Sequence, residues 1–387
     1  MHGLPPLPSL QHLQRLTDDI GLVQHARFDE PFYDEGYSID DNARALILMC
    51  ELVERPEAAP ALEALAARYL TYIAEAWNPD RGRFRNFRSA DGRWLEDCGS
   101  EDSHGRAVHA LGRASNCAAW GGIAQRADEL FIEALSSLES FTSPRAWAFA
   151  LLGIEEYVHE GMSGRRGEGV TGSPSPSHPT TPSLPSLPSP CHALRQRLAQ
   201  RLLRLYEVTA TDDWPWFEDI LTYCNAKLPH ALLRAGHALE RDDMIDTALR
   251  ALRWLAEVHT ADEGHFLPVG SNGFYRRDGE RAAFDQQPIE AHAAVDASLD
   301  AYRLTSDDFW LDEAARAHGW FHGGNDLGLT LGDPATGACC DGLHPDRVNR
   351  NQGAESTLAY LLSSVAMLRA QAGLPRSELG NRSNPSR

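Results

Sequence analysis

The sequence is short of basic residues relative to acidic ones. It has 36 Lys and Arg against 55 Asp and Glu, which gives a net charge of −19. Nucleic acids and anionic membranes are bound through basic patches, so this charge argues against both as partners. The charge balance favours neutral or cationic ligands.

The cysteines form no pattern typical of a metal centre or a disulfide framework. There are 7 of them, scattered apart from the neighbours Cys339 and Cys340, and none have the C-x-x-C spacing. An odd number without that spacing indicates neither a zinc site nor structural disulfides, and it favours a reducing compartment. We expect no metal and no cofactor.

Long apolar runs are also missing. No stretch reaches the roughly 18 apolar residues that a membrane-spanning helix needs. The opening residues, Met1 to Leu10, lack the basic start and apolar run of a secretory signal. We therefore expect a cytoplasmic protein, with 387 residues and 42% hydrophobic content sufficient for a large core.

A succession of amphipathic segments fills most of the chain. Apolar residues recur at helical spacing, with a short helical piece at Leu10, Leu13 and Leu16. The longer predicted helices span 41–55, 60–76, 102–116, 122–138, 144–159, 192–207, 225–239, 243–258, 287–303, 308–322 and 352–371. Turn signals within 81–88 and 263–285 predict short β-hairpins between helices.

One segment differs in composition from the rest. Residues 162–190 are rich in Ser, Pro and Gly, cannot bury an apolar face, and are predicted to be a disordered insertion. We predict a lead-in over 1–16, a single domain over 17–373 that contains this insertion, and a flexible tail over 374–387.

Every second predicted helix begins with a cluster of polar residues. Six such starts, at spacings of roughly 40–65 residues once the insertion is removed, indicate six helical hairpins. The helices with polar starts are the more apolar ones, so they should form an inner ring. The sequence thus predicts an all-α protein, an (α/α)6 toroid with short β-hairpin loops and a pocket where the inner helices begin.

The first two polar clusters carry most of the candidate chemistry. The cluster in Tyr37–Leu46 contains Asp40, Asp41 and Asn42, and the cluster in Ser100–Ala107 contains Glu101, Asp102, His104 and Arg106. Helix capping is the alternative, because Ser, Asp and Asn are ordinary residues at helix starts. Recurrence of the pattern favours a functional site.

Further clusters follow along the chain. They contain Trp214, Trp216, Glu218, Asp219, Asn225 and Lys227, then Gln286, Gln287, Glu290 and His292, and finally Asn351 and Glu355. The two tryptophans can stack on a sugar ring while carboxylates and amides bind its hydroxyls. The alternative is that both tryptophans are core residues.

So many carboxylates in one pocket cannot all be ionised, because like charges and desolvation raise some of their pKa values. A proton donor beside a carboxylate base is the arrangement that cleaves glycosidic bonds. We predict a glycoside hydrolase for a short oligosaccharide, with Asp41 and Asp102 as leading acid/base candidates and Glu218 third. The other cluster residues would bind substrate.

Two other functions remain open. His104 and His292 can act as a pair that removes and returns a proton next to a sugar carbonyl, as in an epimerase or isomerase. The chain can also be a non-catalytic carbohydrate-binding partner of a separate glycosyltransferase. For each histidine alone, a structural hydrogen bond is the competing interpretation.

Several of these motifs resemble a bacterial family of six-hairpin glycosidase-like domains, over roughly 17–372 without the insertion. They are Tyr37–Ala45, Ser100–Ala107, Trp214–Asp219, Phe284–Ala291 and Asn351–Thr357. The resemblance implies an (α/α)6 toroid, suggests mannosides, and suggests association with group 1 glycosyltransferases, which are often fused to or encoded beside such domains. Cys224 departs from the family pattern, which implies an acidic residue there, and this puts activity in doubt.

Overall fold

The structure is a computed structural model that describes residues 8–53, 59–161 and 190–373. The predicted insertion, except for Pro190, lies outside the described residues. So do residues 1–7 of the lead-in and the predicted tail over 374–387.

The helices follow the predicted order with small differences at their ends. They are α1 (Gln11–Leu16), α2 (Ile39–Leu52), α3 (Ala59–Ala76), α4 (Glu101–Ser115), α5 (Gly121–Ala134), α6 (Pro144–Gly161), α7 (Pro190–Thr209), α8 (Lys227–Ala238), α9 (Asp242–Val258), α10 (Pro288–Thr305), α11 (Asp308–Gly319) and α12 (Ala354–Gly373). The end of the predicted 122–138 helix is a separate 3₁₀ helix, Leu135–Ser140.

The helices form two concentric rings. The even-numbered helices α2 to α12 each contact the next, and α12 contacts α2, which closes the inner ring. Each of α3, α5, α7, α9 and α11 packs outside the inner helix that precedes it, and α1 packs outside α12 as the sixth outer helix. The predicted (α/α)6 toroid is confirmed.

Burial patterns explain which helices lie inside. The outer helix α9 buries one stripe at helical spacing, from Met244 through Ala248 to Leu255, and exposes the rest. In the inner helix α12, every residue from Ser356 to Ser364 is buried, because both faces meet other helices. A helix that is apolar on all sides is stable only in such an enclosed position.

Glycines bring two inner helices into close contact. A Cβ atom on Gly112 of α4 would lie 2.1 Å from the carbonyl oxygen of Gly153 in α6. A Cβ on Gly153 would in turn lie 2.6 Å from the carbonyl oxygen of Val108. Only glycine permits this backbone separation, so these residues set the distance between α4 and α6.

The strands form five two-stranded antiparallel pairs among the described residues. They are β1 (Ala26–Arg27), β2 (Glu30–Pro31), β3 (Tyr37–Ser38), β4 (Trp77–Asn78), β5 (Arg83–Phe84), β6 (Phe87–Arg88), β7 (Ile220–Leu221), β8 (Tyr275–Arg276), β9 (Gly342–Leu343) and β10 (Val348–Asn349). The hairpin predicted near 81–88 is β4–β5, whereas β8, within the predicted 263–285 hairpin, pairs instead with the distant β7.

Ion pairs connect the inner helices near their C-terminal ends. The chain of alternating charges passes through all six inner helices, from Arg369 to Glu51, Arg113, Glu156, Arg234 and Asp300. Basic side chains near a helix C-terminus also interact favourably with the helix dipole. The charges therefore join the helices at the end of the toroid opposite the polar helix starts.

Candidate active site

A cavity of about 530 Å³ runs along the axis inside the inner ring. Arg44, Arg106 and Cys224 line it near the helix starts, and Glu156 and Arg234 line it near the helix ends. The volume is within the range typical of small-molecule sites. Most of its lining residues are charged or polar, although their apolar stems also contribute surface, and this combination suits a sugar ring with hydroxyl groups.

Three carboxylates at the starts of adjacent inner helices lie beside the N-terminal end of this cavity without being among its lining residues, and we call them the carboxylate cluster: Asp40, Asp102 and Glu355. Asp40 Oδ2 is 3.9 Å from Nε of Arg106, and its buried Oδ1 has no hydrogen-bond partner among the described residues. Glu355 accepts a 2.7 Å hydrogen bond from Arg44. Each carboxylate lies in the first turn of its helix.

The surroundings move the pKa values of two cluster members in opposite directions. Burial raises the pKa of Asp40, and the charges of Glu355 and Asp102 add to that effect while Arg106 and Arg44 oppose it. Burial also acts to raise the pKa of Glu355, but the attraction of Arg44 and Arg106 outweighs it and the pKa is lowered. Asp40 thus binds a proton more readily than Glu355, and such a difference between neighbouring carboxyl groups is what separates acid and base roles.

Asp102 completes the cluster through hydroxyl donors. Its two carboxylate oxygens accept hydrogen bonds from the hydroxyls of Ser143 and Tyr223. Tyr223 is 38% exposed, so Asp102 and Tyr223 form a polar edge beside Asp40. Tyr223 was not among the residues predicted for the site.

Asp41 has a different environment from its neighbour Asp40. It accepts hydrogen bonds from the hydroxyl of Ser38 at 2.6 Å and from Arg44 at 2.9 Å, and it is 3% exposed. Burial raises the pKa of Asp41 to about 6 despite the attraction of Arg44. Asn42 is fully buried, where it accepts from the backbone of Leu22 and donates to that of Ser38. Both residues hold the start of α2, and Asp41 also orients Arg44.

The Ser100–Ala107 cluster divides between the cavity and the core. Glu101 accepts 2.7 Å hydrogen bonds from the backbone N–H groups of Thr142 and Ser143 ahead of α6. His104 is fully buried, its ring centroid lies 5.0 Å from that of Phe84, and its Nε2 bonds to the carbonyl of Ala134. Burial lowers the pKa of His104 to about 3. Of this cluster, Arg106 lines the cavity.

The structure does not bring the predicted histidine pair together. His292 lines the axial cavity, whereas His104 packs among aromatic side chains against the outer 3₁₀ helix. A proton shuttle between these two residues would need both rings in the same space. The predicted pair is therefore wrong as a geometric arrangement.

Both tryptophans of the third cluster are core residues. Trp214 is 3% exposed and Trp216 is 0% exposed, and both rings pack near Trp254. Glu218 forms a 2.7 Å ion pair with Arg145. Asp219 is largely exposed, 3.2 Å from Arg277. The predicted sugar-stacking role of the tryptophans is wrong, because a buried ring face cannot meet a sugar.

Glu290 supports the segment that leads into α8. Its carboxylate accepts hydrogen bonds from the backbone N–H of Cys224 and from the side chain of Asn225, the latter at 2.9 Å. Burial raises the pKa of Glu290, and these donors oppose the shift. Glu290 and Asn225 thereby place Cys224 at the cavity wall. They position other groups, whereas Lys227, at the start of α8, lines the cavity itself.

The remaining predicted residues lie around the helix starts. Gln286 is fully buried and accepts a 2.8 Å hydrogen bond from Trp320. Gln287 precedes α10 and makes no capping hydrogen bond with its side chain. Asn351 accepts a 3.0 Å hydrogen bond from the backbone of Phe28. None of the three is among the residues that line the axial cavity within the described part of the chain.

A histidine pair that the sequence analysis did not select lies in the cavity wall. His230 of α8 is 2.7 Å from Asp300 through Nε2, and His292 of α10 is 3.1 Å from Asp296 through Nε2. The Nδ1 atoms of both are buried and lack a partner in the described ranges. Lys227 binds Asp296 at 2.5 Å. The four-residue spacing from His292 to Asp296 was a detectable signal, because such residues share a helix face.

Burial lowers the pKa values of both histidines, although Asp296 and Asp300 act in the opposite direction. Each ring is therefore neutral near pH 7, and its carboxylate partner accepts the proton of Nε2–H. This tautomer leaves a lone pair on Nδ1, which is the atom that a general base needs.

Residues 8–53, 59–161 and 190–373 contain no group of three or more His, Cys, Asp or Glu side chains placed to hold a metal ion. No helix that the structure describes is both long enough and apolar enough to cross a membrane.

Comparison with known proteins finds similarity in structure alone. No protein-family profile matches the chain. No curated protein sequence matches it either. The fold, however, matches many solved structures.

Three of these structures illustrate the range. A sugar epimerase from a ruminal bacterium has a TM-score of 0.66 at 12% identity, covering 94% of this chain and 95% of that chain. A D-mannose isomerase has a TM-score of 0.65 at 11% identity, covering 92% and 94%. A GH76 alpha-mannanase from Bacteroides thetaiotaomicron has a TM-score of 0.57 at 12% identity, covering 87% of each chain. The chain thus has the six-hairpin (α/α) toroid fold that epimerases and glycoside hydrolases share.

Proposed function

We propose that the protein is a glycoside hydrolase that acts on a short oligosaccharide through the carboxylate cluster. The observation that carries the proposal is the placement of three carboxylates in the first turns of adjacent inner helices, with Asp40 3.9 Å from Arg106 and Glu355 2.7 Å from Arg44, both of which line the cavity. The opposite pKa shifts of Asp40 and Glu355 support the assignment of their roles. In this proposal Asp40 is the general acid and Glu355 the base. Asp102, bonded to Tyr223, is the second carboxylate near the reacting bond.

The proposed reaction is a displacement at the anomeric carbon. Asp40 donates its proton to the glycosidic oxygen as the bond from carbon to that oxygen breaks. Glu355 takes a proton from a water molecule, whose oxygen forms the new bond to the anomeric carbon. Arg44 keeps Glu355 ionised between turnovers through its 2.7 Å hydrogen bond.

Mannosides are the first substrates to test. The names of two structural neighbours refer to mannose or mannan, and the motif resemblance points to mannosides as well. We also propose that the protein works in the cytoplasm and, from that resemblance, beside a separate glycosyltransferase. A short oligosaccharide suits a cavity of about 530 Å³.

The change Asp40→Asn tests the acid role. We expect kcat to fall by about 10²–10⁴-fold on any oligosaccharide that the wild-type protein cleaves, because Asn cannot donate the proton. The thermal unfolding midpoint should stay within a few degrees, since the amide has nearly the same size. Kinetics and thermal unfolding are measured on the same preparations.

The matched control is Asp212→Asn, at an Asp with a fully exposed side chain outside the cavity. It should leave kcat unchanged. Full activity of the Asp40→Asn protein would remove Asp40 from the mechanism.

A second candidate function is a sugar epimerase or isomerase. It is favoured by the unpartnered Nδ1 atoms of His230 and His292, each oriented by a carboxylate on Nε2. One ring would take a proton from carbon next to a sugar carbonyl and the other would return it. This function requires exchange of that carbon-bound hydrogen with solvent, so unchanged sugar spectra in deuterium oxide would exclude it.

A further inference from the structure

Arg106 is a buried guanidinium that lacks an oxygen acceptor. It is 8% exposed and lines the axial cavity from the second turn of α4. Its one hydrogen bond within the described residues is the 3.4 Å contact from Nη2 to the sulfur of Cys224, and its Nε has no partner there. Its face lies over the ring of Phe149, 4.2 Å from the centroid. Most of its N–H donors are therefore unused.

The negative groups around Arg106 attract its charge but accept none of its N–H hydrogen bonds through oxygen. Burial raises the pKa of the Cys224 thiol, so the sulfur is uncharged near pH 7. Asp40 Oδ2, at 3.9 Å, is beyond hydrogen-bond distance. Glu355 is already bonded to Arg44. A buried charge in this position is unfavourable unless another group supplies the missing acceptor.

A second buried arginine near the same helix starts shows the contrast. Arg145, 4% exposed, donates to the carboxylate of Glu218, the hydroxyl of Thr222 and the carbonyl of Tyr223, at 2.6–2.7 Å. Each of these acceptors is oxygen. Arg106 has Cys224 in the corresponding role, which leaves its charge directed at the cavity.

We propose that Arg106 binds an anionic oxygen group of the ligand, such as a carboxylate, sulfate or phosphate. The unpartnered Nε of Arg44, which also lines the cavity, is a second donor for that group. The inference rests on the proposed function and narrows its substrate class. The ligand is either a sugar that carries an acidic substituent or a sugar bound together with free phosphate.

The anion would also assist the proposed acid. A negative group on Arg106 offsets the attraction that Arg106 exerts on the ionised form of Asp40. Asp40 would then hold its proton more firmly with ligand bound than without it. The whole chain has a net charge of −19, but the end of the cavity lined by Arg44 and Arg106 offers positive charge to an anion.

Direct binding tests the proposal without any need for turnover. Inorganic phosphate, sodium D-glucuronate and D-glucose are titrated by calorimetry into the wild-type protein at low ionic strength. We expect at least one anion to bind more tightly than glucose. Tight binding of phosphate indicates a free anion as the ligand, and tight binding of glucuronate alone indicates an acidic sugar.

Variants locate the site. Arg106→Met should weaken anion binding by about 10–100-fold, the usual value of a hydrogen bond between charged groups. Arg106→Lys should keep part of the affinity for the anion, because lysine retains the positive charge but lacks the planar, forked set of N–H donors of arginine. The control is Arg303→Gln, at the opposite end of the cavity, where the side chain is 58% exposed.

Anion binding that survives in Arg106→Met, or that Arg303→Gln abolishes, would overturn the proposal. So would wild-type protein that binds neither anion more tightly than glucose. If anions bind as expected and no glycoside is cleaved, the anion site stands and the hydrolase function fails.

Discussion

Asp40 and Asp41 show how two neighbouring residues of one type take different roles. Their side chains project about 100° apart around α2. Asp41 meets Ser38 and Arg44 within the helix start, whereas Asp40 is left with an unpartnered oxygen beside Arg106. The motif could be found from the sequence, because polar clusters recur at helix starts. Which carboxylate meets Ser38 and Arg44 depends on the rotation of α2, and the sequence does not give that rotation.

His104 should make the stability of the fold depend on pH, because it is buried in its neutral form. Burial lowers its pKa from 6.5 to about 3. Below pH 6.5 the unfolded chain binds a proton that the folded chain does not, so the stability contribution is complete above pH 6.5 and is lost as the pH falls toward 3. The loss is about 1.4 kcal/mol per pH unit.

We expect His104→Gln to remove that dependence. The variant loses packing at every pH, but the gap in unfolding free energy to the wild-type protein should narrow by about 1.4 kcal/mol between pH 6 and pH 5. Urea unfolding at several pH values measures this gap. The exposed His237, replaced by Gln, is the control. A gap for His104→Gln that stays constant with pH would contradict a neutral His104.

At the scale of elements, the contact between α4 and α6 depends on glycine. We expect Gly112→Ala to destabilise the protein by about 1–3 kcal/mol or more, because the added methyl group meets the Gly153 backbone at 2.1 Å. Urea unfolding measures the loss. Ala has a higher helix propensity than Gly, so propensity alone would predict that Gly112→Ala raises the free energy of unfolding.

Gly122→Ala in α5 is the matched control. A Cβ atom at Gly122 has no neighbour within 4 Å, so this variant should be neutral or more stable by up to about 1 kcal/mol. Equal effects of the two substitutions would show that α4 and α6 are not in backbone contact.

The positions of the side chains in the Trp214–Lys227 segment could not be predicted from the sequence. The segment lies outside any regular periodicity, so composition alone suggested a sugar-binding surface. In the structure Trp216 is fully buried, and Glu290 holds Cys224 at the cavity wall. Long-range partners such as Glu290 and Trp254 decide those positions. Local sequence contains no information about them.

At the scale of the whole molecule, the toroid was predictable because its repeat is visible in the chain. Alternation of strongly apolar helices with striped ones gives an inner and an outer ring, and polar helix starts gather at one end. The axial cavity was less predictable. Its histidines, His230 and His292, occur in the middle of helix patterns. Whether they meet in the cavity depends on how far α8 and α10 are shifted along each other. The ion pair between Lys227 of α8 and Asp296 of α10 reflects that alignment.

Product analysis by mass spectrometry and proton NMR in deuterium oxide distinguishes glycoside hydrolysis from epimerisation. Wild-type protein is incubated with a panel of mannosides, other oligosaccharides and free sugars. We expect smaller sugars from at least one oligosaccharide, with no deuterium on carbon. The first anomer formed should have inverted configuration, because water attacks the anomeric carbon directly. Deuterium uptake into an uncleaved sugar would contradict the carboxylate mechanism and favour His230 and His292. Binding without any chemical change would contradict both activities and leave a carbohydrate-binding partner.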